Sequence, residues 1–194
     1  MVINKYQSFD NILTQFIRNG VLKVKKLKEK AEKIKAILFD VDGVLTDGGI
    51  YYSDNGDEVK RFNVKDGQIV KHLQDNGIFL GIITGRKSTM VERRAKELEL
   101  DFYQQGIGNK IESFKIFKNR FMLRSSEIAY IGDDINDLPV LRKCGFSGTP
   151  KDARPYIKSA VDYVTDSKGG DGAFRDFADY ILESKGLLSN IVNS

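Results

Sequence analysis

The 194-residue chain predicts a doubly wound α/β fold, a mostly parallel, Rossmann-like sheet with helices on both faces and a small β-hairpin inserted in it. Three observations predict it. Short apolar runs of strand length alternate with stretches of helical period. The first run is continuously apolar, as a parallel strand buried on both faces would be. Three of the runs end directly in polar, carboxylate-bearing or hydroxyl-bearing strings. Alternation of this kind is the pattern of a parallel sheet with crossover helices.

The elements follow in chain order. Ser8 is placed to cap a helix in which Phe9, Ile12, Leu13, Phe16 and Ile17 share a face, with Gly20 as its stop, and a Lys-rich stretch runs from Lys23 to Lys35. Ala36 to Phe39 reads as a buried strand ending in Asp40. Ile50 to Tyr52 and Glu58 to Phe62 flank the turn string Ser53-Asp54-Asn55-Gly56-Asp57, which predicts a hairpin. Lys65 to Asn76 carries Ile69, Val70 and Leu73 at helical spacing and stops at Gly77. Phe79 to Ile83 is a second buried strand, and Lys87 to Leu98 a helix with Val91, Ala95 and Leu98 in register. A short strand at Phe102-Tyr103 precedes a helix from about Asn109 that turns Ile111, Phe114, Phe117 and Phe121 inward. Ile128 to Ile131 is a strand, Ile135 to Cys144 a helix, and Asp162 to Val164 a late short strand. The last helix lines up Phe174, Phe177, Ala178, Ile181 and Leu182 and ends at Gly186. There is no internal repeat and no low-complexity tract. The organisation expected is a basic, partly helical extension over 1–33, one α/β domain over 34–186, and a tail over 187–194.

Composition removes several function classes. With 41% hydrophobic and 30% charged residues the chain can bury a sizeable core. One cysteine and one histidine exclude an internal disulfide framework, a cysteine zinc knuckle and a His-rich metal site. Cys144 reads as a small hydrophobe and His72 as structural. No apolar run is long enough to span a bilayer, and no signal-peptide core is present, so a soluble, cytoplasmic protein is expected. The net charge of +4 suggests a polyanionic partner at first sight. Residues 1–35, however, hold nine Lys/Arg against three Asp/Glu, and the remainder holds 22 against 24. The basicity is therefore local to the front. That segment packs on the body or on a neighbouring subunit, or else forms a nucleic-acid or membrane-surface arm. Arm binding would weaken steeply with salt and vanish on deleting 1–33. The acidic body lacks aromatic–basic interleaving, so neither nucleic acid nor membrane is expected as a partner.

The chemistry sits at the strand ends, where open α/β sheets bind ligands. The first strand runs into Asp40-Val41-Asp42-Gly43-Val44-Leu45-Thr46, the second into Thr84-Gly85-Arg86, and a later one into Gly132-Asp133-Asp134-Ile135-Asn136-Asp137. Carboxylates gathered at neighbouring strand ends repel one another without a cation, and an all-oxygen donor set is what Mg2+ prefers. A carboxylate beside such an ion stays ionised and can attack phosphorus to form an acyl-phosphate. A second carboxyl two positions on can protonate the leaving oxygen and then deprotonate the hydrolytic water. The Thr84 hydroxyl and backbone N–H groups suit phosphoryl oxygens, and Lys110, after the Gly106-Ile107-Gly108-Asn109 loop, suits their growing charge.

The strings DVDGVLTD, IITGRK, the Lys110 loop and GDDIND, in that order and spacing, resemble the four motifs of the haloacid dehalogenase superfamily of phosphohydrolases. The resemblance implies Asp40 as nucleophile, Asp42 as general acid/base, Thr84 as phosphate binder and Lys110 as charge stabiliser. It implies a Mg2+ site of Asp40, the Asp42 carbonyl and Asp133, with Asp134 and Asp137 in the outer shell. Only the hairpin and one helix lie between the first two motifs, which leaves no room for a cap domain. That capless plan, with YYSDNGDEVKRFNVKDG, TGRK and GGDGA, is similar to the family of 3-deoxy-D-manno-octulosonate 8-phosphate phosphatases of lipopolysaccharide biosynthesis. This second resemblance implies a keto-sugar acid phosphate as substrate and a homotetramer in which neighbouring subunits cover each site. Relatives acting on a nine-carbon sugar acid 9-phosphate share most of these strings, and a sugar-phosphate phosphotransferase would use the same four motifs. Gly85 and Arg86 are candidate substrate contacts, Arg86 alternatively pairing with a surface acid. Lys65 either meets the substrate carboxylate at a subunit boundary or is a solvated helix start. Gly169, Gly170 and Gly172 form either a simple helix-start loop or a flexible, site-covering segment.

Overall fold

A computed structural model describes residues 20–193. The expected helix from Ser8 lies outside the described residues, except for Gly20. That glycine does not stop a helix. It is itself helical, the first described residue of α1, which is described over 20–31. A glycine ends a helix by taking a left-handed conformation, and Gly20 is not among the positive-φ glycines. The Lys-rich stretch is therefore mostly helix. It turns Leu27 and Ala31 onto the body's core, while Lys30 Nζ meets Asp162 at 2.6 Å.

The sheet contains β1 (Ala36–Phe39), β4 (Phe79–Thr84), β5 (Phe102–Gln105), β6 (Ile128–Ile131), β7 (Phe146–Thr149) and β8 (Tyr163–Val164), in the spatial order β5-β4-β1-β6-β7-β8. Every pairing in it is parallel. The strand made first thus lies inside the sheet, and the chain adds strands to one side of it before crossing to the other. β1 sends Ile37 and Phe39 to one face and Ala36 and Leu38 to the opposite one, and all four are fully buried. The first face is covered by α1, α2 (Val64–Asp75), α3 (Thr89–Glu97) and α7 (Ala173–Ser184). The second is covered by α4 (Lys110–Arg120), α5 (Leu138–Leu141) and α6 (Pro155–Lys158). A sheet clad on both sides needs the continuously apolar strands that the sequence supplies.

Between β1 and α2 stands the hairpin, β2 (Tyr51–Tyr52) against β3 (Glu58–Val59), with shorter arms than expected. Asn63 caps α2 by accepting from the Lys65 amide at 3.0 Å, and Gly77, at φ +74°, ends it. The expected helix from Ile135 to Cys144 is broken. A 3-10 turn over Ile135–Asp137 is followed by α5, with Pro139 in its first turn. Proline has no amide to continue a helix from behind it. Cys144 is half-buried, its thiol facing the carbonyls of Leu141 and Phe146 at 3.4 Å. Leu188–Val192 forms a short last helix, α8, whose Leu188 and Ile191 lean on the core.

Candidate active site

The register of the sheet assembles the site. Phe39 pairs with Ile82 on one side and Ile131 on the other, so Asp40, one residue further, and Thr84 and Asp133, two residues further, emerge near one another at the carboxyl ends. Asp40 begins its turn by donating its backbone N–H to Ile131 O at 3.0 Å. The turn bends sharply, with the amides of Val44, Leu45 and Thr46 all directed to Val41 O. Gly43 is required in it. Its φ is +83°, and a Cβ there would lie 2.1 Å from Asp133 Oδ2. One glycine therefore lets the first and fourth motifs touch.

The pocket, a cavity of about 230 Å3, is lined by Asp40, Asp42, Gly43, Gly48, Thr84, Gly85, Arg86, Asp133, Asp134 and Asn136. Lys110 lies beneath it, fully buried, with its ammonium 2.7 Å from both Asp40 Oδ2 and Asp137 Oδ1. Burial alone would lower the affinity of Lys110 for its proton, but Asp40 and Asp137 outweigh it and hold its pKa above the ordinary value. Burial, aided by Asp137, raises Asp40 to about 6 against the pull of Lys110. Burial with the charges of Asp40 and Asp137 lifts Asp133 to about 8. Three close carboxylates and one ammonium leave excess negative charge, which a bound proton relieves and which a divalent cation would relieve with the carboxylates kept ionised.

Asp137 has no oxygen to spare. Oδ1 accepts from Lys110 and, at 2.5 Å, from the Tyr130 hydroxyl. Oδ2 accepts the backbone N–H groups of Asp133 and Asp134 at 3.1 and 3.2 Å. Asp40 Oδ1, in contrast, is buried without a hydrogen-bond partner among the described residues. Leaving such an atom unpaired costs about 1–3 kcal/mol, and because Asp40 lines the pocket, a ligand bound there would satisfy it. Asp134 sits at the exposed rim and caps the 3-10 turn by accepting from the Ile135 amide at 2.7 Å.

The outer wall comes from the hairpin. Lys60, whose side chain is 1% exposed, pairs with Asp42 Oδ1 and lies 3.4 Å from Glu58 Oε1. Glu58 also accepts from Arg86 Nη2 at 2.9 Å. Arg86 thus both lines the pocket and pairs with an acid. Lys65 is exposed at the start of α2 and is not among the lining residues. The glycine loop packs against the first motif. Gly170 N donates to Val44 O at 2.9 Å, and a Cβ on Gly169 would fall 2.0 Å from Gly43 O. Tyr130, Asn136, Glu58 and Lys60 were not singled out from the sequence. Asn136 lies within the fourth motif string, with no role of its own attached to it.

Comparison with known proteins agrees with this geometry. The profile of the haloacid dehalogenase-like hydrolases matches residues 100–175. The 3-deoxy-D-manno-octulosonate 8-phosphate phosphatase KdsC of Escherichia coli K12 is 42% identical over 159 residues, covering 82% of this chain and 85% of that protein. The Haemophilus influenzae counterpart is 40% identical, covering 84% and 91%. The crystal structure of the Moraxella catarrhalis phosphatase of the same name, in complex with magnesium, phosphate and KDO, superposes with a TM-score of 0.84 at 38% identity, covering 86% and 96%. The chain belongs to the haloacid dehalogenase superfamily, within its family of 3-deoxy-D-manno-octulosonate 8-phosphate phosphatases, and is a phosphoric monoester hydrolase. The magnesium of the Moraxella structure is the kind of ion that the acidic cluster of this chain suits. The residues fit that ion, because carboxylate oxygens of Asp40 and Asp133 lie within 4.8 Å of one another and Asp40 Oδ1 is unpartnered, a hard oxygen donor set to which Asp137, the third acid of the cluster, adds charge rather than a free oxygen.

Proposed function

We propose that this enzyme hydrolyses 3-deoxy-D-manno-octulosonate 8-phosphate through an aspartyl-phosphate on Asp40. The observation that carries the mechanism is the state of that carboxylate, with Oδ2 held by Lys110 and Oδ1 unpartnered at the pocket floor. Near-identity of plan with the named phosphatases over most of the chain supports the substrate. Asp40, Asp133 and the Asp42 carbonyl would hold Mg2+, which supplies charge neutralisation at the phosphoryl group. Asp134 would act in the outer shell, and Asp137 would anchor Lys110.

Asp40 attacks phosphorus while the Thr84 hydroxyl and the amides beyond β4 hold the phosphoryl oxygens. Asp42 donates its proton to the departing sugar oxygen, then takes one from the water that cleaves the acyl-phosphate. Lys110 offsets the charge that builds on phosphoryl oxygen and on Asp40. Gly85 and Arg86 at the rim would contact the sugar acid. Residues 34–186 would form the phosphatase unit.

The uncapped pocket calls for a cover. The hairpin exposes Ile50, Tyr51, Tyr52 and Val59, with Val64 nearby, an apolar surface suited to neighbouring subunits in a homotetramer. Measuring kcat/KM over keto-sugar acid phosphates of eight and nine carbons and over hexose phosphates tests the substrate. A preference above about tenfold for the eight-carbon acid is expected, and a preference for hexose phosphates overturns it. Chelation should abolish turnover and Mg2+ should restore it.

A further inference from the structure

We propose that Lys60 is a positioning residue that aims the Asp42 carboxyl at the leaving oxygen, and that the hairpin exists in part to deliver it. The inference rests on the reading of Asp42 as general acid/base. Lys60 follows β3 directly, and its side chain is 1% exposed. A lysine is seldom buried without partners, because its ammonium loses water and its long stem loses rotamer freedom. Here the partners are Asp42 Oδ1 and Glu58 Oε1.

Lys60 is absent from the pocket lining, so it reaches the reaction through Asp42 rather than by touching substrate. The Asp42 side chain itself projects from a turn and remains 24% exposed, with nothing from the sheet fixing its direction. Pinning Oδ1 leaves the other oxygen to serve the leaving group and, later, the water. Small errors of aim are costly at this step, since proton transfer needs heavy atoms within hydrogen-bond reach. Glu58 completes the device. It anchors Lys60 and, through its 2.9 Å bond to Arg86, ties the same hairpin strand to the pocket rim. A chain from Asp42 through Lys60 and Glu58 to Arg86 therefore couples the acid/base to the residue expected to meet the sugar.

The test uses leaving-group chemistry. An alkyl phosphate needs a proton delivered to its leaving oxygen, whereas p-nitrophenyl phosphate expels a stable phenolate without one. In the full-length Mg2+ enzyme, Lys60→Met should lower kcat about 10–100-fold for the preferred sugar-acid phosphate and less than about threefold for p-nitrophenyl phosphate. KM should move less than about twofold, and Lys60→Arg should recover part of the loss. Adding Lys60→Met to Asp42→Asn should cost little more than Asp42→Asn alone. Should the Met variant fail to fold, Lys60→Gln is read by the same ratio. Equal losses on both substrates, or an unchanged kcat on the sugar-acid phosphate, overturn the proposal. Asp42→Asn measured alongside separates the two readings. If it shows no leaving-group dependence, the assignment of Asp42 fails. If it shows that dependence and Lys60→Met does not, only the positioning role fails.

Discussion

Two charged networks flank the pocket, and they are built differently. The inner one joins Asp40, Lys110, Asp137 and Tyr130, all four side chains buried: Tyr130 on β6, Asp40 just past the end of β1, Lys110 at the start of α4 and Asp137 in the 3-10 turn of the fourth motif. The outer one joins Asp42, Lys60, Glu58 and Arg86, is borne partly by a two-stranded hairpin, and reaches solvent at Arg86, 39% exposed. Charges in the inner network lack water and depend on one another, so removing one strands its partners. The outer network can rearrange more easily, because Asp42, Glu58 and Arg86 retain some solvent around the buried Lys60. The difference separates two tasks. On the proposed mechanism the inner network handles phosphorus, which every substrate shares, and the outer one handles the leaving group and the sugar, which differ.

The sharpest test is at the inner end. Asp40→Asn should reduce turnover by more than about 10^3-fold on every phosphate ester while the protein still melts cooperatively. Activity retained on any substrate would break the division. Lys110→Met should lower kcat by about 10^2–10^3-fold on sugar and aryl phosphates alike. It should also cost about 3–5 kcal/mol of stability by leaving Asp40 and Asp137 buried without their counter-charge, read by denaturant melting.

Asp66 lies outside both networks and serves as a control. It is buried in α2, where Oδ1 accepts from the Arg175 amide at 2.8 Å and Oδ2 has no partner among the described residues. Burial, helped by Asp176 and opposed by that amide, Arg94 and Arg175, raises its pKa to about 6. A raised carboxylate favours folding while protonated. Its contribution is complete below the ordinary value of 3.8 and is lost as pH climbs through about 6, a change on the order of 3 kcal/mol. Asp66→Asn should flatten that part of the stability–pH curve and leave kcat unchanged.

Smaller effects refine the contrast. Tyr130→Phe removes one donor from Asp137 without changing shape, so about 1–3 kcal/mol of stability and a several-fold drop in kcat on all substrates are expected. Arg86→Ala should lower kcat/KM about tenfold for the sugar-acid phosphate and scarcely for p-nitrophenyl phosphate. An equal loss on both would assign Arg86 to the inner task.

Sequence reading recovered the inner part of the site well and the outer part poorly, for physical reasons. Strands buried on both faces print continuous apolar runs, so β1, β4 and β6 were legible, and the motif strings sit at their ends. β7 was not. Its Phe-Ser-Gly-Thr has no apolar run, and Gly148 is small because the Phe177 ring would meet a Cβ at 2.4 Å. Within Ile-Ala-Tyr-Ile, Tyr130 looks like one more core aromatic, and only the fold brings its hydroxyl to Asp137. Glu58 and Lys60 lie in a charged hairpin that reads as solvated, because nothing local predicts that Lys60 turns inward. Gly20 misled in the opposite direction, as a nominal helix stop that is itself helical.

The inner position of β1 also bears on synthesis. A ribosome makes Ala36–Phe39 long before Ile128–Ile131, yet β1 needs β6 along one edge and β4 along the other. Until both exist, the nascent chain carries a bare apolar ribbon whose unpaired amides invite the wrong neighbour. Asp40 and Asp133 likewise meet only after the second half of the sheet has closed. No fragment ending before Asp133 can present the acidic cluster, so on the proposed mechanism a chain stalled there is catalytically silent rather than partly active.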